Sequence, residues 1–501
     1  MSVFQMYGRW LDIIVILFVF LCAKASIRYV CYWRMMRQQG CQPSCKKAFV
    51  RDPFIGLDFA YDRLFQGSPA RNLKGSFDMY KRLGATYTVN RLTTQTIYTC
   101  DAANIKRLLA TSFDDYKLPA VRVCVMGDLL GPGIFTLNGH SWSNARSLLR
   151  PALRKERLCG LPNILESHMQ SMLRQISFKG SSLDLQPLFF SLTMDIATEF
   201  LMGYSTNMLE NPDGSAQQFV DDYMVCSTEA ARKMTLGPLR FLRSNSAAKQ
   251  SKTRVFKYID SYIDECLKRM ETRNLAVEHG NLLQELSSAI EDRQMLRDQV
   301  LHILLASRDT TASLLSNLFF VLARMPEVYA KLRREIVAAM GDSVPDFSQL
   351  RELQYLRWCI NESLRLHPVI PSNAREAAQD TVLPVGGGPD GDSPLLVRRG
   401  TIVLYHVYSM HRDPAVYGND VEEFRPERWD GLRPGWAFLP FSGGPRVCIG
   451  QQMALMESYY IVVRLVQAFE RLEPTDYKPW SELFALATTC ENGVHVKMHK
   501  A

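Results

Sequence analysis

The chain has 501 residues, 47% of them hydrophobic, and a formal net charge of +8 from 59 Lys and Arg against 51 Asp and Glu. That length supports a large buried core, and no internal repeat or low-complexity tract points to an array. The positive charge is modest and spread out, and no basic-aromatic patch accompanies it. It therefore fits an anionic membrane surface or an acidic redox partner and excludes a nucleic-acid role.

The N-terminus is apolar. Residues 13–23 are uncharged and hydrophobic, with Trp10 before them and Tyr29, Tyr32 and Trp33 after. Eleven residues rise only about 16 Å as a helix, short of the roughly 30 Å hydrocarbon core. The longer stretch 10–33 would span if Lys24 and Arg28 snorkel. Arg34, Arg37, Lys46, Lys47 and Arg51 follow, which places the bulk of the chain on the cytoplasmic side. Residues 1–35 are expected to form a membrane anchor. An interfacial helix and a cleavable signal, with Ala23-Lys-Ala25 as its small-x-small site, are the rival readings. A basic linker, 36–70, carries Gly40, Pro43 and Pro53, and a catalytic domain is expected over 71–501.

Within that domain residues 87–99 are rich in Thr, Tyr and Val and predict a small β region. Helical patterns dominate 102–325, with breaks at Gly131-Pro-Gly133, Asn211-Pro-Asp-Gly214 and Gly237-Pro238. Strand signals return over 381–405, around Gly386-Gly-Gly-Pro-Asp-Gly391. No helix start follows that loop, so it reads as a β-turn insertion and not a phosphate cradle. A long helix without proline is predicted over 451–469 and a closing hairpin over 484–496. The fold class is mainly α with a minor β region.

Twelve cysteines are scattered without a Cys-x-x-Cys, and the nearest pair, Cys41 and Cys45, has no histidine cluster beside it. They read as reduced thiols facing the cytosol, not a zinc site. Cys448 stands apart. It lies in Phe441-Ser-Gly-Gly-Pro-Arg-Val-Cys-Ile-Gly450, immediately before the apolar helix. A helix N-terminus favours a thiolate, which can ligate a metal. Gly443, Gly444 and Gly450 allow the backbone to approach a flat ligand, and Arg446 offers a charged fork to a carboxylate.

Three more clusters carry chemistry. Ala306-Ser-Arg-Asp-Thr-Thr311 interrupts a helix predicted from about 298 to 323, where polar groups are costly without partners or a task. The Thr310 hydroxyl can bond back to the Ala306 carbonyl and open a groove. Glu362 and Arg365 share a helix face and alone read as an ordinary surface pair. Trp142 and Arg146 lie one turn apart, an indole donor and a cation for a carboxylate.

In order and spacing, Trp-x-x-x-Arg, Asp-Thr-Thr, Glu-x-x-Arg, Pro-x-Arg-Trp and the cysteine loop resemble the cytochrome P450 superfamily over about residues 75–500. The resemblance implies the P450 fold, a helical bundle around haem b, with Cys448 as axial iron ligand. Trp142, Arg146, Arg375, Phe441, Arg446 and Gly450 would also bind the haem. Asp309 and Thr310 would deliver protons to bound dioxygen, and Ser307 stands where glycine is commoner. Glu362, Arg365 and Arg428 would form a structural lock, with Trp429 as a conservative replacement for phenylalanine. No flavin or nicotinamide fingerprint is visible, so electrons would come from a separate NADPH–cytochrome P450 reductase at the endoplasmic reticulum membrane.

Leu130-Gly-Pro-Gly-Ile-Phe-Thr-Leu137, Ser307-Arg-Asp-Thr-Thr-Ala-Ser313, the Gly386 loop and Gly443-Gly-Pro-Arg446 with Gln451-Gln452 look like the fungal alkane and fatty-acid ω-hydroxylases. Apolar walls are expected from residues 121–135, 305–306, 369–372 and 484–487. The alternatives are tailoring oxidation of a polyketide or terpenoid, and a haem protein without monooxygenase turnover. The Asp309–Thr310 pair speaks against the last.

Overall fold

A computed structural model describes residues 29–48, 72–91, 94–153, 160–179, 182–273, 281–484 and 487–501, with a few positions between 15 and 27. Most of the apolar run 13–23, the linker from residue 49 and the expected boundary at 70/71 lie outside them. No helix among the described residues is long and apolar enough to cross a membrane.

The organising element is one helix of 32 residues, Arg293–Arg324, about 48 Å long by its rise. It starts where the Asp292 side chain accepts from the backbone N–H groups of Gln294 and Met295, and it stops before Pro326. Apolar residues surround it on all sides, as expected of a helix through the middle of a protein. Helix Leu185–Met202 packs along it, with the Phe189 and Phe319 rings 5.3 Å apart. The Thr193 hydroxyl donates to the Arg308 carbonyl at 3.0 Å. Helix Gln451–Ala468 crosses it from below, as its apolar sequence predicts.

The β part collects at one side. Strands Thr86–Arg91 and Thr94–Thr99 form the expected hairpin. The second of them pairs in parallel with Ile402–His406, which pairs in turn with Ser372–Ala377. The Gly386 loop is a turn, as predicted, between strands Thr381–Gly387 and Ser393–Val397. Near the C-terminus Glu482–Phe484 pairs with Thr488–Cys490, a shorter hairpin than expected. The final strand, His495–Lys500, lies instead between Phe469–Pro474 and Ser182–Asp184.

Candidate active site

The loop Phe441–Gly450 is folded by its own backbone. The Cys448 N–H donates to the Phe441 carbonyl at 2.9 Å and Val447 N–H to Gly444 carbonyl at 3.0 Å. Gly444 has φ +65°, and a Cβ there would fall 1.8 Å from the Leu109 carbonyl oxygen. A Cβ on Gly443 would meet the Trp436 ring at 2.8 Å. These two glycines therefore serve contacts within the protein, a correction to the expectation that they admit a flat ligand. Gly450 fits that expectation, because open space lies where its Cβ would be.

The Cys448 thiol is accessible although protein atoms crowd it on nearly every side. Burial pushes the thiol up, against the Gly450 N–H and Arg146, which draw it down. Burial thus opposes the helix start, and a bound cation would favour the anion.

Near this thiol four arginines converge. The Arg446 guanidinium stacks 4.2 Å from the Trp142 ring, with Arg146 5.9 Å from the same ring. Arg446 donates to the Leu137 carbonyl at 2.9 Å. Arg375, almost fully buried on strand Ser372–Ala377, has no partner for its Nε among the described residues. Arg122, on helix Ala120–Leu130, donates to Asn373 Oδ1 at 2.8 Å. Burial, followed by repulsion from Arg375, Arg122 and Arg146, lowers Arg446 to about 9. Burial and Arg375 lower Arg122 to about 10. No carboxylate figures among these influences. A buried cationic cluster of this kind requires an anion. A planar group with two carboxylates and a central cation, as in haem, fits both the arginines and the thiol.

The middle of the long helix carries the other candidate residues. Ala306, Ser307 and Thr310 are partly exposed there, although the residues on either side of them along the helix are mostly buried. The Thr310 hydroxyl donates to the Ala306 carbonyl at 2.7 Å, as predicted. The Ser307 hydroxyl turns back to the Ile303 carbonyl at 2.9 Å, so it occupies the helix backbone and not the groove. Asp309 accepts from Arg308 at 2.5 Å, and the Arg308 guanidinium lies 4.8 Å from the Phe190 ring. Burial raises Asp309 and Arg308 opposes the shift.

Glu362 and Arg365 are not a surface pair: both side chains are fully buried. They are joined by two bonds of 2.9 Å, and Arg428 Nε reaches Glu362 Oε1 at 3.1 Å. Trp429 is more than a conservative replacement, since its indole N–H donates to Glu362 Oε2 at 3.0 Å. Arg365 also donates to the carbonyls of His411, Val421 and Glu423. From there the lock reaches the cysteine loop. His411 Nε2 accepts from the Leu439 N–H at 2.9 Å, and the Tyr417 hydroxyl donates to the Ala437 carbonyl at 2.9 Å.

Sequence reasoning missed Arg122, although a lone cation inside the apolar run 120–130 was a usable signal. It also missed His411, whose role depends on contacts made far along the chain.

A family model described as Cytochrome P450 matches residues 53–494. Cytochrome P450 monooxygenase FPY7 of Fusarium mangiferae is 41% identical over 480 residues, covering 93% of this chain and 91% of its own. Cytochrome P450 monooxygenase himC of Aspergillus japonicus is 41% identical over 471 residues, 92% and 84% of the two chains. Cytochrome P450 52A13 of Debaryomyces hansenii is 40% identical over 435 residues, 82% and 83%. With a thiol and an arginine cluster close together, and with these matches, the chain belongs to the cytochrome P450 family, monooxygenases that use haem iron, dioxygen, a redox partner and an organic substrate.

Proposed function

We propose that this monooxygenase hydroxylates a lipophilic, largely aliphatic substrate, a fatty-acyl or alkane chain near its terminal carbon, on haem b held by Cys448. The observation that supports the substrate class is the apolar character of the expected walls, which are part of the main hydrophobic core. Leu130, Ile134, Leu305, Val369 and Ala487 belong to one hydrophobic cluster, with Val121 and Phe135 packed against it. Such a surface suits a hydrocarbon chain.

Trp142, Arg146, Arg375, Arg446 and Arg122 would hold the haem carboxylates, and Phe441 and Gly450 would flank the sulfur. Bound there, haem supplies a redox-active iron that takes up dioxygen and electrons and passes one oxygen atom to a C–H bond. The protein's part is to move protons and exclude water. Asp309, raised by burial and tethered by Arg308, holds a carboxyl near the groove where it can take up and release a proton. Thr310 bends its own hydroxyl onto Ala306 and leaves its oxygen lone pairs toward the groove as acceptors. Glu362, Arg365 and Arg428 keep the loop in register.

Electrons would arrive from an NADPH–cytochrome P450 reductase at the basic face around the cysteine loop, with residues 1–35 attaching the chain to the endoplasmic reticulum membrane. A second reading, tailoring oxidation of a polyketide or terpenoid, is favoured by the near-equal identity to FPY7, himC and 52A13.

The test is product analysis after feeding lauric acid and, separately, a crude metabolite extract to the reductase-coupled enzyme. Terminal hydroxylation of lauric acid supports the first reading. Turnover of extract components alone replaces it with the second. A reduced carbon-monoxide spectrum lacking the red-shifted thiolate band would remove Cys448 from its role.

A further inference from the structure

Three residues in one turn of the long helix, Asp298, Gln299 and His302, are buried to within 1% of full exclusion. Each leaves acceptor atoms without a hydrogen-bond partner among the described residues: both Asp298 carboxylate oxygens, Gln299 Oε1 and His302 Nδ1. Their donors are already committed to the loop that covers them. Gln299 Nε2 donates to the Pro132 carbonyl at 2.9 Å, and His302 Nε2 lies 3.2 Å from the Gly131 carbonyl. A carbonyl can only accept, so Nε2 carries the proton. Burial lowers His302 to about 4 and keeps the ring neutral, which leaves Nδ1 a bare lone pair.

The covering loop cannot fill these acceptors. Pro132 has no N–H, and the N–H groups of Gly131 and Gly133 go to Gly127 and Thr136. The fit is close: a Cβ on Gly131 would lie 2.0 Å from Asp298, and one on Gly133 would lie 2.4 Å from His302. Arg297 Nε reaches Asp298 Oδ1 only at 3.5 Å. Buried acceptors without donors cost free energy, which a ligand can recover.

The place is right for a substrate. Asp309 is seven residues beyond His302, about 20° short of two full turns, so both point to one side of the helix. The Phe135 ring, from the apolar wall, stacks on His302 at 5.4 Å. Along the helix axis His302 is about 10–12 Å from Asp309 and Thr310.

We propose that this station, whose free acceptors outnumber the one uncommitted donor beside it, Arg297 Nε, receives an O–H or N–H donor carried by the substrate, and that the oxidised carbon lies roughly 10 Å from that donor. The inference rests on the lipophilic-substrate reading but departs from its alkane and fatty-acid examples, favouring long chains that bear a hydroxyl, amide or amine group. An ionised fatty acid has no donor and would meet the Asp298 carboxylate, so it is disfavoured in this orientation.

The test is a spectral binding titration of the haem-loaded full chain with dodecane, dodecan-1-ol and dodecanoate. The alcohol should bind about five- to tenfold more tightly than the alkane, the yield of one net hydrogen bond. His302→Leu removes the ring acceptor, and with it the donor to the Gly131 carbonyl, and should erase most of that preference. If it fails to load haem, Gln299→Leu is the second variant and should weaken only the alcohol. Equal affinity for alkane and alcohol, or a preference that survives both variants, overturns the proposal and leaves ordered water as the acceptors' partner. Failure of the lipophilic reading looks different: none of the three probes would bind.

Discussion

The Trp429 indole N–H and the Glu362 carboxylate are 3.0 Å apart and both buried, so the ion-pair lock has an aromatic member that donates. Glu362 receives this bond in addition to those from Arg365, Arg428 and the Arg425 N–H. Trp429 also stacks on Phe438 at 4.6 Å, three residues before the cysteine loop. Trp429→Phe keeps most of the packing and removes the bond. It should cost roughly 1.5–3 kcal/mol, the usual range for a hydrogen bond to a charged group. A thermal melt unchanged within error would show that Arg365 and Arg428 satisfy the carboxylate alone.

Arg122 predicts opposite effects in two states. Its charge raises the repulsion within the arginine cluster, as the lowering of Arg446 records. Arg122→Leu should therefore make the haem-free protein slightly more stable, while haem retention on a desalting column falls several-fold. Haem retention equal to that of the unaltered protein would place Arg122 outside the carboxylate contacts.

Glu457, almost fully buried on helix Gln451–Ala468, has no hydrogen-bond partner for its Oε1, and burial lifts it to about 8. An ordinary unfolded glutamate titrates near 4.3. Between those values the folded protein binds more protons than the unfolded one, so stability falls as pH rises from about 4 through about 8. Glu457→Gln should flatten that slope and be the more stable form at pH 8. Urea midpoints at pH 5 and pH 8 for both proteins check it, and parallel slopes would reassign the pH dependence to other groups.

Thr310→Ala removes the hydroxyl that bends onto the Ala306 carbonyl. The variant should keep the red-shifted carbon-monoxide band but send more electrons into peroxide per product formed. Peroxide yield measured against NADPH consumption reads this directly, and unchanged coupling would leave Asp309 as the sole proton carrier.

Much of this arrangement was legible in the chain. The long helices announce themselves by apolar runs, although the longest was expected to start near 298 and begins at Arg293, and the Thr310 back-bond follows from its spacing to Ala306. The sheet was harder, because Thr94–Thr99 finds its partner Ile402–His406 some three hundred residues away. Local pattern shows that a strand exists and not which strand it meets. Glu362 and Arg365 could be read as a lock only through the resemblance and Arg428, for a related reason. An i,i+3 charge pair looks the same in sequence whether it faces water or carries a loop, and only the carbonyls of His411, Val421 and Glu423 reveal which. Burial, which opposes the helix start at the Cys448 thiol, is invisible in a motif.

Gly444 sits so close to the Leu109 carbonyl that the cysteine loop is moulded on the π-helical turn Arg107–Thr111, far upstream in the chain. The two segments are therefore a single inherited unit for anyone grafting pieces between related enzymes. Exchanging residues 107–111 without the loop, or the loop without them, would shift the sulfur against whatever it ligates. A chimera should be cut so that both ends of this contact come from one parent.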